Sequence, residues 1–246
     1  MNLLIDLGNS RLKWAQYGPD LWRTDAALLG NEKNIESLFG KAWEKIAKPQ
    51  RVIVCSVSSP ERLHAIEQWA RTHWSVSIHI VRPQAEQLGV KNLYRNPQQL
   101  GADRWAALIG VRGLTGSAVC VVDAGTAVTV EALSARGEFL GGAIFPGLRL
   151  LRDSLAQGTE ALPVVAGNAT DCLGRSTEDG VAAGTLFGLV GAVERLIDEY
   201  RRNLGEPMEI FLTGGDATAL AAHLRVSVTP VPDLVFKGLA RIADSL

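Results

Sequence analysis

The chain has 246 residues, 47% of them hydrophobic, with 25 basic and 26 acidic side chains for a formal net charge of -1. That size suffices for one large domain or two modest ones with real cores, and the balanced charge leaves no broad electrostatic footprint for DNA or RNA. Apolar runs such as Ala118 to Ala124 fall short of the roughly 20 residues a membrane span needs, and no basic segment precedes the first apolar run as in a signal peptide. Three scattered cysteines, Cys55, Cys120 and Cys172, match neither a metal-ligand spacing nor a disulfide framework. A cytoplasmic protein with reduced thiols, no nucleic-acid partner and no membrane partner is expected.

In chain order, Asn2 to Leu7 reads as an apolar strand ending in Asp6-Leu7-Gly8-Asn9-Ser10, and Arg11 to Tyr17 alternates as a second strand. Asn34 to Ala47 has helical spacing, Arg51 to Val57 is β-branched and apolar, Pro60 opens a helix to about His73, and Val76 to Val81 reads as a strand. Asn96-Pro97 starts a helix expected to run to about Arg112. Gly113 to Ser117 is a glycine- and hydroxyl-rich break, so domains are expected at residues 1–115 and 116–246. Ala118 to Val122 is again an apolar strand, ending in Asp123-Ala124-Gly125-Thr126-Ala127, with another strand through Leu133 and a turn near Arg136-Gly137. A helix from about Leu148 to Leu155, a polar loop, a long helix from about Thr177 to Leu204, a strand from Glu209 to Thr213 and a helix from Pro232 to Ala243 complete the chain. The two Asp-x-Gly turns lie close to half a chain length apart in matching contexts, which predicts two related halves. Trp22, Trp43, Trp69 and Trp74 read as packing residues, and the four histidines show no ligand or triad spacing.

Neither G-x-x-x-x-G-K-[ST] nor a strand-borne G-x-G-x-x-G is present. The Asp-x-Gly turns offer another route to phosphate, because glycine lets backbone N–H groups approach the oxygens while neighbouring side chains add donors. A carboxylate cannot sit against phosphate without repulsion, so Asp6 and Asp123 call for a cation between, which implies Mg²⁺ carried with a triphosphate. One Asp-x-Gly is an ordinary turn former; two copies at matching places favour the phosphate reading. Thr213-Gly214-Gly215-Asp216 adds a glycine turn against which adenine or ribose could lie, although by itself it is a plain strand-to-helix turn.

Together the three turns resemble the acetate and sugar kinase, heat-shock ATPase and actin superfamily. The ordered set Asp6-Leu7-Gly8-Asn9-Ser10, Tyr94, Gly101-Ala102-Asp103-Arg104-Trp105, Asp123-Ala124-Gly125-Thr126-Ala127, Gly141-Gly142 through Pro146-Gly147, and Thr213-Gly214-Gly215-Asp216 resembles type III pantothenate kinases over nearly the whole chain. The resemblance implies an α/β fold of two similar actin-like (ribonuclease H-like) domains, mixed sheets flanked by helices, with a nucleotide cleft between them. It implies ATP-dependent phosphorylation of pantothenate, the first step of coenzyme A synthesis, by a homodimer using Mg²⁺ with ATP and a monovalent cation, K⁺ or NH₄⁺. It further implies Asp103 as proton acceptor, and ATP contacts by Asp6, Leu7, Gly8, Asn9, Ser10, Arg11, Leu12, Lys13, Thr126, Gly214 and Gly215. Tyr94, Gly101, Ala102, Asp103, Arg104 and Thr177 are implied around the substrate, and Asp123 at the monovalent cation. Read without the resemblance, Asp103-Arg104 is equally a solvated helix face, Tyr94 a packed loop residue and Thr177 a helix cap. Two rival readings are a kinase-like transcriptional accessory protein, against which the intact Asp103-Arg104 pair argues, and an ATP-switched chaperone or filament protein, for whose extra domain the chain has no room.

Overall fold

The computed structural model describes residues 1–29, 35–167 and 169–246. They form two compact units, Met1–Thr115 with Leu234–Leu246, and Gly116–Asp233.

In the first unit, β1 (Asn2–Leu7) pairs antiparallel with β2 (Arg11–Gly18) and parallel with β4 (Val52–Ser56). β3 (Leu21–Leu28) and β5 (Ile78–Ile80) complete the order β3-β2-β1-β4-β5. β1 is central and buried along Leu3 to Leu7, which is why its sequence is apolar almost without interruption. β3 is an exposed edge strand that the sequence reading did not distinguish. The helices α1 (Ile35–Trp43) and α2 (Pro60–Trp69) contribute Phe39, Trp43 and Ile66 to a core with Leu3, Ile5 and Val54. Phe39 stacks on Trp43 with ring centres 4.7 Å apart, and Trp14 meets Trp43 edge-on at 6.2 Å. Trp22 departs from its expected packing role: it is 42% exposed, with the Lys237 ammonium over its ring.

Two helices differ from expectation. α2 ends at Trp69 and continues as a π turn, Ala70–Trp74, closed by Ser75 in the left-handed region. The helix expected from Asn96 is a 3-10 turn at Pro97–Gln99, then an extended Leu100-Gly101, then α3 (Ala102–Arg112). Gly101 is extended at φ -62°, ψ 139° where the new helix starts, and its lack of a Cβ leaves room for Asp103 Oδ1, which a methyl would approach to 2.6 Å. Ahead of it, β6 (Glu86–Gln87) and β7 (Val90–Asn92) form a short hairpin. Asn34, the expected start of the first helix, lies outside the described residues.

The second unit repeats the topology. β8 (Ala118–Ala124), β9 (Ala127–Leu133) and β10 (Glu138–Pro146) form an antiparallel meander, and β11 (Met208–Thr213) and β12 (Thr229–Pro230) add parallel on the other side of β8. The order β10-β9-β8-β11-β12 matches β3-β2-β1-β4-β5 strand for strand, so the expected duplication is real at the level of topology. Its helices are α4 (Leu148–Gly158), α5 (Thr177–Leu204) and α6 (Ala217–Ala221). Ser176 caps α5 by accepting from the Asp179 amide, and Gly205 closes it with φ 66°. By length and composition α5 could cross a membrane, a feature the search for apolar runs passed over, but half of its apolar window is buried, with Leu186, Val190, Val193 and Ile197 in the core of the unit.

The last helix, α7 (Leu234–Asp244), packs on α3 in the first unit, although chain order alone puts it with the second half. The two helices touch through glycines: a Cβ on Gly238 would overlap the Ala106 carbonyl oxygen, and one on Gly110 would lie 2.5 Å from the Leu234 carbonyl oxygen. Arg241 then donates to the Ile109 carbonyl at 2.6 Å near the end of α3.

Candidate active site

The strand registers line up Lys13, Asp6 and Cys55 across β2, β1 and β4. Lys13 Nζ lies 3.4 Å from Asp6 Oδ2, and the Cys55 thiol donates to Asp6 Oδ1 at 3.6 Å. Asp6 is only 6% exposed, so these partners offset much of the cost of keeping a carboxylate there. The turn that follows is closed by the Gly8 amide donating to the Arg11 carbonyl, and Arg62 on α2 donates to the Asn9 carbonyl at 3.1 Å. Burial, followed by the charges of Asp6 and Asp103, pushes the Cys55 thiol well above its ordinary range. A disulfide reagent is therefore expected to titrate the exposed Cys172 alone in the native protein and all three thiols after unfolding. Rapid native reaction at Cys55 would contradict this.

In the same unit the start of α3 presents Asp103 and Arg104. The Arg104 amide donates to Asp103 Oδ1 at 2.7 Å, and the Arg104 guanidinium donates to the Tyr94 hydroxyl at 3.0 Å while lying 5.6 Å from its ring centre. Burial first, and the nearby charge of Asp6 second, raise the Asp103 carboxyl above its ordinary value. Two carboxylates held close, one paired with lysine and one pushed toward the neutral form, give an acid-base group beside a turn suited to a metal-bound phosphate. Trp105, fully buried, donates its indole N–H to Gln87 at 2.9 Å and fixes the helix start against the hairpin.

In the second unit three glycine turns converge. Asp123 pairs with Thr213 in register between β8 and β11. The Asp216 amide donates to the Ala124 carbonyl at 2.8 Å, and the Gly147 amide donates to the Thr126 carbonyl at 2.9 Å. Gly214 has φ 98°, and a Cβ there would overlap the Ala124 carbonyl and sit 2.5 Å from Asp123 Oδ1. A Cβ on Gly147 would overlap the Gly125 carbonyl. Only glycine lets these backbones meet, leaving Thr126 and Gly215 at the surface. Thr177 opens α5 and edges a largely apolar cavity of about 640 Å³ between α4 and α5, lined also by Phe145, Leu151, Leu155 and Val181.

Residues 2–199 match the model of the type III pantothenate kinase family. The chain belongs to the type III pantothenate kinase family. A type III pantothenate kinase from Halorhodospira halophila is 40% identical over 97% of this chain and 96% of its own. Among solved structures, a Campylobacter jejuni protein described as a Baf family transcriptional activator superposes with a TM-score of 0.62 at 22% identity, covering 99% of this chain and 98% of its own. A Sinorhizobium meliloti protein described as a 2-dehydro-3-deoxygalactonokinase superposes with a TM-score of 0.57 at 15% identity, covering 100% and 99%. At those identities the structural likeness speaks for the fold alone.

Within the first unit the structure brings together Asp6, Lys13, Asp103, Arg104 and Tyr94, and within the second Asp123, Thr126, Gly214 and Gly215. Leu7 and Leu12 are fully buried and pair with one another across β1 and β2, so any contact they make with nucleotide goes through backbone atoms or the turn they hold. Ala102 is also buried, and Asn9 and Arg11 are exposed at the turn. Sequence reasoning gave no part to Cys55, Arg62 or Asn92. The first two act on the Asp6 turn only through a parallel pairing and a helix approach whose partners lie some 50 positions away. Asn92 had a local signal, an Asn two residues before Tyr94 and five before a proline, the pattern of a side chain that bonds its own loop.

Proposed function

We infer that the chain transfers the γ-phosphoryl group of ATP to the primary hydroxyl of pantothenate, yielding 4'-phosphopantothenate and ADP. The observation that carries this reading is the start of α3, where a carboxyl raised above its usual value stands next to a guanidinium already engaged with a tyrosine hydroxyl, beside the Asp6 turn. Asp103 takes the hydroxyl proton as the oxygen bonds to the γ-phosphorus and the bridging oxygen leaves with ADP. In a loose transition state the base holds the nucleophile in line and receives the proton late, a task within reach of a carboxylate. Arg104 offers a planar fork to the pantothenate carboxylate, with Tyr94 holding that fork in place. Gly101 and Ala102 shape the approach, and Thr177 supplies a further hydroxyl to the substrate.

By the family resemblance, ATP contacts are assigned in the first unit to residues 6–13 and in the second to Thr126, Gly214 and Gly215. Among the described residues no cluster of three or more His, Cys, Asp or Glu side chains is arranged as a metal site. Mg²⁺ retains waters and binds through one or two carboxylates together with substrate phosphates. Asp6 in the first unit and Asp123 in the second are the carboxylates that the turn motifs assign to phosphate-bound cations, and Mg²⁺ would supply charge neutralisation on the phosphates when bound. A monovalent cation, K⁺ or NH₄⁺, at Asp123, a homodimeric assembly and a cytoplasmic location belong to the same reading and are supported by the family resemblance.

The test is ADP release from purified protein and MgATP with pantothenate or a panel of small sugars, with and without K⁺. Release that depends on pantothenate and rises with K⁺ is expected; release without acceptor, or none with pantothenate, overturns the assignment. Arg104→Ala is expected to raise the pantothenate KM by about 100-fold, corresponding to one charge-assisted contact of roughly 3 kcal/mol, with the ATP KM nearly unchanged. An unchanged pantothenate KM removes Arg104 from the pocket.

A further inference from the structure

We propose that Asn92 is a positioning residue for pantothenate recognition, a buried side chain that ties down both ends of the loop presenting Tyr94 to Arg104. This rests on the reading of Tyr94 and Arg104 as the pantothenate pocket.

Asn92 ends β7, is 6% exposed, and bonds through its backbone amide and both polar atoms of its side chain. Its own amide donates to the Ala85 carbonyl at 2.8 Å, which anchors it to the hairpin. Its Oδ1 accepts from the Tyr94 amide at 3.1 Å, and its Nδ2 donates to the Pro97 carbonyl at 3.1 Å. One carboxamide therefore fixes the loop just before the tyrosine and again at the 3-10 turn that leads to Gly101 and α3. Leu93, Arg95 and Asn96 around those points are exposed, and the Asn96 side chain caps the 3-10 turn by accepting from the Gln98 amide at 3.2 Å. Tyr94 in turn accepts from Arg104 at 3.0 Å, so the loop's placement of the phenol helps to orient the guanidinium.

No other natural side chain of this size supplies both an acceptor and a donor in this geometry. Asp keeps the acceptor toward the Tyr94 amide but sets a carboxylate against the Pro97 carbonyl; Ala loses both bonds. The device acts on one substrate only, because neither bond touches the Asp6 turn assigned to ATP.

The experiment is steady-state kinetics of Asn92→Ala, Asn92→Asp, Tyr94→Ala and the double variant Asn92→Ala/Tyr94→Ala, with thermal melts of each. Asn92→Ala is expected to raise the pantothenate KM about tenfold and Asn92→Asp by at least as much, with the ATP KM and kcat within about twofold of the parent. In the Tyr94→Ala background, Asn92→Ala is expected to add less than twofold, because the residue it positions is already gone. A merely structural role would instead raise both KM values together or add its full factor in the double variant, and either result overturns the proposal. So does an unchanged pantothenate KM in Asn92→Ala when Tyr94→Ala raises it. If Tyr94→Ala itself leaves the pantothenate KM unchanged, the pocket assignment fails and the proposal falls with it. Should Asn92→Ala not fold, Asn92→Asp decides: a pantothenate KM raised threefold or more at constant ATP KM supports the proposal, and anything less rejects it.

Discussion

Asp103→Asn is expected to lower kcat by about 10²–10⁴-fold while ATP still binds, because the amide keeps the shape of the side chain and cannot accept the proton. Single-turnover ADP formation and a separate nucleotide-binding titration check the two halves of that statement. A fully active variant would remove Asp103 from the role of base. The parent's pH profile carries the same information. Burial and the Asp6 charge raise the Asp103 carboxyl in the free protein, so kcat/KM for pantothenate should fall on its acidic side at a higher pH than an ordinary aspartate would give. Stability moves the opposite way. The folded state holds this proton more tightly than the unfolded chain does, so the group weakens the fold as pH rises above its unfolded value and through its folded one. Asp103→Asn is accordingly expected to melt higher than the parent at pH 7, with the gain disappearing as the pH drops below the range of ordinary carboxylates. A variant that is both inactive and less stable at neutral pH would point to a structural carboxylate instead.

Gly238→Ala is the substitution expected to cost the fold most. In an exposed helix alanine is favoured over glycine by about 1 kcal/mol, which would predict a small gain. Here the added methyl would overlap the Ala106 carbonyl oxygen, and that backbone cannot swing aside as a side chain can. Separating α7 from α3 would also unseat contacts made at Gly110. We expect a net loss of about 2–3 kcal/mol, typical of overpacking at a rigid contact, or a fall in Tm of roughly 4–12 °C for a chain of this size. Activity should fall as well, because α3 carries Asp103 and Arg104 at its start. A Gly238→Ala protein that melts within a degree of the parent would mean that the helices do not cross in backbone contact.

Much of the fold is legible in the sequence because the strands at its centre are buried on both faces, and burial on both faces leaves an unbroken apolar run such as Leu3-Leu4-Ile5 or Ala118 to Val122. The turns are legible for a related reason: Asp-x-Gly at the end of such a run marks a tight bend twice, and the structure gives both copies the same sheet order. Elements without an apolar face of their own were not legible. β3 is exposed along most of its length, β12 has two residues, and Gly101 interrupts the expected helix where its missing Cβ leaves room for the Asp103 carboxylate.

The candidate site divides the same way. Local motif content names Asp6, Asp103, Arg104, Asp123 and Gly214, since each sits in a short run whose residue types suit phosphate, proton or carboxylate chemistry. Composition, motif order and family membership, and with them the reaction class, were set by the sequence itself. What the tertiary structure decided is which side chains tune those residues: the thiol of Cys55 and the ammonium of Lys13 on Asp6, the raised carboxyl of Asp103, and the helix from the end of the chain that locks α3 through Gly238. Strand register and helix crossing bring these groups together from distant positions, and no short-range pattern encodes a partner selected by burial and backbone contact.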